Sequence, residues 1–133
     1  AAYSAGAAGY SSLGGDVPFT CIIGVCPMKP EKSDMAIGIM NDEVTKMTKT
    51  VDAEMLSKVK ELMLKRADEN VKKNNYWLGV IQSFDEYGVD TNTDYKKIVS
   101  EMTPEKMAKF MKNVIIGGGN SIKVIMLPDT MKK

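Results

Sequence analysis

Few side chains in this sequence could perform chemistry, because its 133 residues include no histidine and two cysteines. Cys21 and Cys26 lie in an apolar run that predicts a strand, and their odd spacing sends the two side chains to opposite faces. This arrangement argues against a disulfide or a metal clip between them. Two thiols without histidine also fall short of the ligand set of a usual zinc site. We therefore expect no metal site and no catalytic residue in this chain.

The hydroxyl and carboxylate groups do not change that expectation. Without histidine, serines such as Ser4, Ser11 and Ser12 cannot form a Ser-His-Asp triad within the chain. The acidic residues fall on the polar sides of predicted helices, where solvent surrounds them. The most prominent of them are Asp42, Glu43, Glu61, Asp68, Glu69, Asp85 and Glu86.

Three further features have a structural and a functional interpretation. Residues 117–123 have the composition of a phosphate loop, but a Walker loop leaves a strand and opens a helix, so these glycines are better interpreted as a helix stop. Most of the 11 methionines share helical stripes with Ile, Leu and Val, which indicates core packing rather than metal capture. Trp77 is interpreted as packing over a neighbouring helix, with stacking on a ligand as the alternative.

Composition narrows the class of protein. Lysine and arginine number 18 against 17 acidic residues, and a net charge of +1 gives no electrostatic drive for binding nucleic acid. The apolar share of 44% and the charged share of 26% are those of an average soluble domain. No apolar run approaches the roughly 18 residues of a membrane span. The length predicts a single domain over residues 1–133.

The two ends of the chain predict strands. Residues 3–12 and 19–25 are separated by turn residues and predict a hairpin. The second of these strands is apolar on both faces, which predicts a central strand. Residues 122–127 are nearly all apolar and stop at Pro128, which predicts a last strand.

Between the strands, apolar periodicity predicts four or five helices. In chain order their signals are a run over 34–48 preceded by Pro30, an N-cap at Asp52, a stop at Gly88, a short turn over 94–100, and an N-cap and proline at Thr103 and Pro104. The order strand, strand, helices, strand predicts an α+β fold, an antiparallel or mixed sheet with helices packed on one face.

The first predicted strand, residues 3–10, is unusually poor in bulk. Small residues allow another backbone or a peptide substrate to approach a strand closely. They also suit a strand that packs under helices. The pattern alone leaves both interpretations open.

A series of short motifs follows in order along nearly the whole chain. They are Ala2-Tyr3-Ser4, Pro18-Phe19 with its apolar strand, Pro27, the long helix with Lys58 and Lys60, Asn75-Tyr76-Trp77, Met102-Thr103-Pro104-Glu105, and KVIMLP at 123–128. In this order and spacing they resemble the C-terminal half of the pitrilysin/insulinase family of zinc metallopeptidases.

The resemblance implies a function. Members of this family consist of repeated α+β domains in two halves that close around a chamber, and the zinc motif H-x-x-E-H lies in the N-terminal half. This sequence has no such motif. The resemblance therefore implies an inactive domain of a larger multi-domain peptidase, which binds peptide substrate and completes the chamber. Zinc is expected in the N-terminal half of the same or a paired protein, and the cell envelope or periplasm of a bacterium is the implied location.

One substrate-binding residue, Tyr3, is also implied by the resemblance. In active members of the family an Arg and a following Tyr reach toward the bound substrate. Tyr3 has the position of that Tyr, and the matching Arg would precede residue 1, together with the first strands and helix of the domain. The phenol of Tyr3 would donate a hydrogen bond to the carbonyl oxygen that gains negative charge during hydrolysis.

Two other functions stay open. The chain is alternatively a stand-alone protein-interaction module without a proteolytic role, or a member of the family that has lost catalysis and serves as an assembly subunit. An H-x-x-E-H segment upstream in the reading frame, or in a neighbouring gene, would favour the peptidase. We also expect self-association, because residues 3–12 would lie at an unprotected sheet edge.

Overall fold

A computed structural model describes residues 4–14 and 16–129 of the chain. They form an antiparallel hairpin followed by helices, which confirms the predicted α+β class. The strands are β1 (Gly6–Ser12) and β2 (Phe19–Val25), and the helices are α1 (Ser33–Met47), α2 (Ala53–Asn70), α3 (Asn74–Tyr87), α4 (Tyr95–Ser100) and α5 (Pro104–Phe110). A 3-10 turn, Pro30–Lys32, precedes α1, and a π-helical segment, Met111–Ile116, continues α5. None of the helices in these two ranges is both long and apolar enough to cross a membrane.

The hairpin has a regular register, with Gly6 opposite Val25 and Ser12 opposite Phe19. Its side chains alternate between two faces. On one face the hydroxyls of the opposed pair Ser11 and Thr20 lie 2.8 Å apart. The predicted hairpin is therefore confirmed, and its register fixes which side chains share a face.

Helix α1 approaches one face of this hairpin near the end of β2. A Cβ atom added to Gly24 would lie 3.2 Å from the Sδ atom of Met40, so α1 closely approaches the face that carries Gly24. The opposite face remains exposed and carries aromatic and aliphatic side chains. These are Tyr10, Phe19, Ile23 and Val25.

Local signals set the ends of the helices as predicted. The Asp52 carboxylate accepts a hydrogen bond from the Met55 N–H at 2.7 Å and caps α2. The Thr103 hydroxyl oxygen accepts from the Lys106 N–H at 3.3 Å and caps α5. Gly88 ends α3 at a φ of 67°, in the left-handed region that favours glycine.

A lysine on the inner side of α2 joins that helix to the end of α4. Lys60 Nζ donates to the carbonyl oxygens of Ser100 and Met102, at 2.7 and 2.9 Å. Both carbonyls lie at the carboxyl end of α4, where a positive charge is favourable. Ala67 of α2 and Val99 of α4 are buried in the same region.

The buried core is small for a chain of this length. Among the described residues the buried hydrophobic side chains are Ala67, Val99, Ala108 and Met111. The accessible surface is 10,665 Å², whereas a folded monomer of 14.6 kDa is expected to expose about 6,900 Å². The chain therefore leaves uncovered much apolar surface that a protein of this size ordinarily buries.

Two expectations about strands were wrong. Within the described part of the chain, residues 122–127 form no ladder, and β2 is hydrogen-bonded to β1 alone in a two-stranded sheet, so β2 is not a central strand there. An apolar run indicates that a segment is suited to a buried strand, but its hydrogen-bonding neighbours must come from elsewhere in the fold. Residues 122–127 are instead attached beside α1, where Lys123 Nζ lies 3.0 Å from a carboxylate oxygen of Asp34.

Candidate functional site

Tyr3, the residue assigned to substrate binding, lies outside the described residues. The adjoining main chain is held beside the end of β2, because the Cys26 thiol donates to the carbonyl oxygen of Ser4 at 3.3 Å. Cys21 and Cys26 are both free thiols. Cys26 therefore attaches the start of the hairpin to its other end, a role that its spacing from Cys21 did not reveal.

The outer edge of β1 is open. Within the described ranges β1 pairs with β2 on one side, and no strand pairs with its other side. Residues 4–14 contain neither a charged residue nor a proline, the features that usually protect an edge strand. Residues 6–9 are glycine and alanine and are exposed. A second extended backbone can therefore approach this edge without steric hindrance from side chains.

An apolar cleft of about 320 Å³ adjoins the start of β1. It lies between the ends of the hairpin and the first turns of α1, and its size is near the lower limit of ligand-binding clefts. Its lining is formed by Ala5, Cys26, Met28, Lys32, Met35, Ala36, Ile39 and Met40. A cleft with this lining suits an aliphatic or aromatic side chain, and flexible methionines allow it to adapt to different shapes.

Three exposed ionisable groups of the described chain have pKa shifts unlike those of a general acid or base. A hydrogen bond from Gln82 lowers the pKa of Glu86, and hydrogen bonds from Thr93 lower the pKa of Asp90. The hydrogen-bonded glutamate one turn earlier raises the pKa of Lys46. Each of these shifts favours the charge that the group already carries at neutral pH, whereas catalytic groups are shifted toward neutrality.

The donor set for a metal ion is also poor. In residues 4–14 and 16–129, no three His, Cys, Asp or Glu side chains lie close enough together to hold a metal ion. Cys21 lies within β2, whereas Cys26 follows its last residue and donates its thiol to Ser4. The residues present therefore do not fit the ligand set of a zinc site.

Trp77 and Tyr76 have structural roles at the start of α3. The Trp77 indole N–H donates to the carbonyl oxygen of Val71 at 2.9 Å, just after the end of α2. The Tyr76 hydroxyl donates to the Asn92 side-chain oxygen at 2.8 Å. The two rings meet edge to face with their centroids 5.5 Å apart. The Trp77 bond spans the turn between α2 and α3, the Tyr76 bond joins the start of α3 to the segment after it, and both favour the structural interpretation of Trp77.

No protein-family model, curated protein or solved structure matches this chain. The open edge of β1 and the cleft beside it are therefore the features on which a functional proposal depends.

Proposed function

We propose that the chain is a non-catalytic domain of a zinc metallopeptidase of the pitrilysin/insulinase family, which binds extended peptide and completes the substrate chamber. The observation that carries this proposal is the open, uncharged, small-residue edge of β1 beside an apolar cleft. The proposed family rests on the ordered motifs along the sequence. Tyr3, which directly precedes this edge in the sequence, is the proposed substrate-binding side chain.

A peptide bound at this edge would form the next strand of the sheet. Main-chain hydrogen bonds to β1 would give affinity for any extended sequence, and this suits a protein that accepts many peptides. Successive peptide side chains would point to alternate faces. The face that α1 approaches adjoins the cleft, so one side chain of the peptide would enter it and give a preference for apolar residues.

The zinc ion is assigned to a separate N-terminal half, because the side chains of this chain do not fit it. The exposed surface supports contact with further polypeptide. A chain that leaves 10,665 Å² accessible exposes about half as much again as a folded monomer of its mass. In this proposal the zinc-binding half covers part of that surface.

A stand-alone interaction module is the second candidate function. The same exposed apolar surface and open edge favour it, since they suit a protein partner as well as a peptide. An H-x-x-E-H segment in the same or a neighbouring reading frame supports the peptidase domain. Its absence from both supports the module.

Substitution of Ala8 by lysine tests peptide binding at the edge. Ala8 lies opposite Ile23, on the face away from α1, so the new side chain has space while its charge and bulk oppose an added strand. We expect Ala8→Lys to weaken binding of a labelled, unstructured apolar peptide about tenfold or more, as measured by fluorescence anisotropy.

The matched control is Ser57→Lys, which adds the same charge at an exposed position of α2. It should leave peptide affinity unchanged. Circular dichroism would confirm that both variants are folded. Equal affinity of Ala8→Lys and the unsubstituted chain, or no peptide binding by the monomeric chain, would contradict binding at the edge of β1.

A further inference from the structure

Residues 122–127 form an irregular segment with one strongly exposed apolar side. Ile122, Val124 and Met126 are 90, 78 and 90% exposed, whereas the alternate residues Ile125 and Leu127 are each 41% exposed. This alternation has the period of a strand with a more exposed and a less exposed side. Lys123, on the less exposed side, is attached to Asp34 at the start of α1.

The backbone of this segment also lacks a neighbour within the described part of the chain. Residues 121–128 have no regular secondary structure and no ladder partner there. The sequence IKVIML is nevertheless well suited to strand pairing, with aliphatic side chains at all but one position. The segment therefore combines unpaired backbone with an exposed apolar side.

The same polypeptide carries the surface that such a segment fits. The outer edge of β1 is unpaired in the described structure and lacks charge and proline. A strand and an open edge on one chain allow two copies to exchange them reciprocally, with two-fold symmetry. The net charge of +1 offers little repulsion between copies.

The uncovered area exceeds what one partner of a standard dimer interface buries. The surface of 10,665 Å² is larger than that of a typical monomer of this mass by about 3,800 Å². A standard protein interface buries about 800 Å² on each partner. Two copies could therefore bury an interface of that size without uncovering anything now buried.

We propose that residues 122–127 of one copy pair as an added strand with the outer edge of β1 in a second copy, and that two such contacts form a homodimer. This inference rests on the proposed function in one respect, since the segment occupies the edge assigned to peptide. The chain thus carries its own competitor for the peptide site, and peptide binding and dimerisation exclude each other.

Sedimentation equilibrium of the full chain tests the dimer. We expect a dimer for the unsubstituted protein and a monomer for the triple variant Ile122→Lys, Val124→Lys and Met126→Lys. Because these three side chains are exposed, the variant should fold normally, which circular dichroism would confirm. The control is Leu78→Lys, which adds charge at an exposed apolar position of α3 and should remain dimeric. A monomeric unsubstituted chain, or equal dissociation by Leu78→Lys, would overturn the proposal.

A synthetic peptide with the sequence of residues 121–128 separates this inference from the proposed function. It should dissociate the dimer, and it should bind the triple variant more tightly than the unsubstituted protein, because the edge is free there. A scrambled peptide should do neither. Peptide binding by a strictly monomeric chain would overturn the dimer but leave the proposed function intact. If the triple substitution dissociates the dimer but the monomeric variant binds no peptide, the dimer is supported and the proposed function is overturned.

Discussion

Met111→Ala is expected to lower the free energy of unfolding by about 2–5 kcal/mol, because a buried methionine leaves a cavity when it is truncated. Met111 is 1% exposed and is the largest fully buried side chain among the described residues. It begins the π-helical segment, which contacts both α1 and β2. Folded domains are stable by only about 5–15 kcal/mol. Denaturation in urea, followed by circular dichroism, would measure the loss.

Met55→Ala is the matched control for that substitution. Met55 is in α2 and is 64% exposed, so its truncation removes the same atoms from solvent rather than from the core. The expected change is within about 0.5 kcal/mol. Equal destabilisation by the two substitutions would show that Met111 is not at the centre of the core.

Tyr3→Phe is expected to lower turnover on the order of 10²-fold in the assembled peptidase, with a much smaller effect on substrate binding. The hydroxyl that it removes is proposed to donate a hydrogen bond to the substrate carbonyl oxygen as negative charge develops there. Folding should change little, since the ring is retained. Steady-state kinetics with a fluorogenic peptide would measure the effect.

Tyr3→Ala distinguishes this role from a purely structural one. If Tyr3 only fills space beside the sheet, the alanine variant should lose stability by a few kcal/mol, while the phenylalanine variant should turn over substrate like the unsubstituted enzyme. Unchanged kinetics of Tyr3→Phe would remove Tyr3 from the site.

The helices could be predicted because their signals are local. Asp52, Gly88 and Thr103 each act within a few residues of their own position, through a side-chain cap or a left-handed φ. The hairpin was predictable for the same reason, since its strands are joined by a short loop.

Contacts between distant parts of the chain could not be predicted in this way. The ammonium group of Lys60 binds carbonyls 40 and 42 residues later, and no local signal identifies them. Residues 122–127 have the composition of a strand, but composition does not identify the neighbour that a strand requires.

The candidate site was predictable in part. The small residues of β1 indicated close approach by another backbone, and the structure leaves that edge open. The cleft was not foreseen, because Cys26, Met35 and Ile39 meet there from the hairpin and α1. Neither segment has a sequence feature that identifies the other.

The central claim is that this chain contributes binding without catalysis, and zinc content measured together with peptide hydrolysis tests it most directly. The purified chain should contain no stoichiometric zinc and cleave no peptide, and hydrolysis should appear when it is combined with the half that carries H-x-x-E-H. Stoichiometric zinc in the chain alone, accompanied by zinc-dependent cleavage, would contradict the claim.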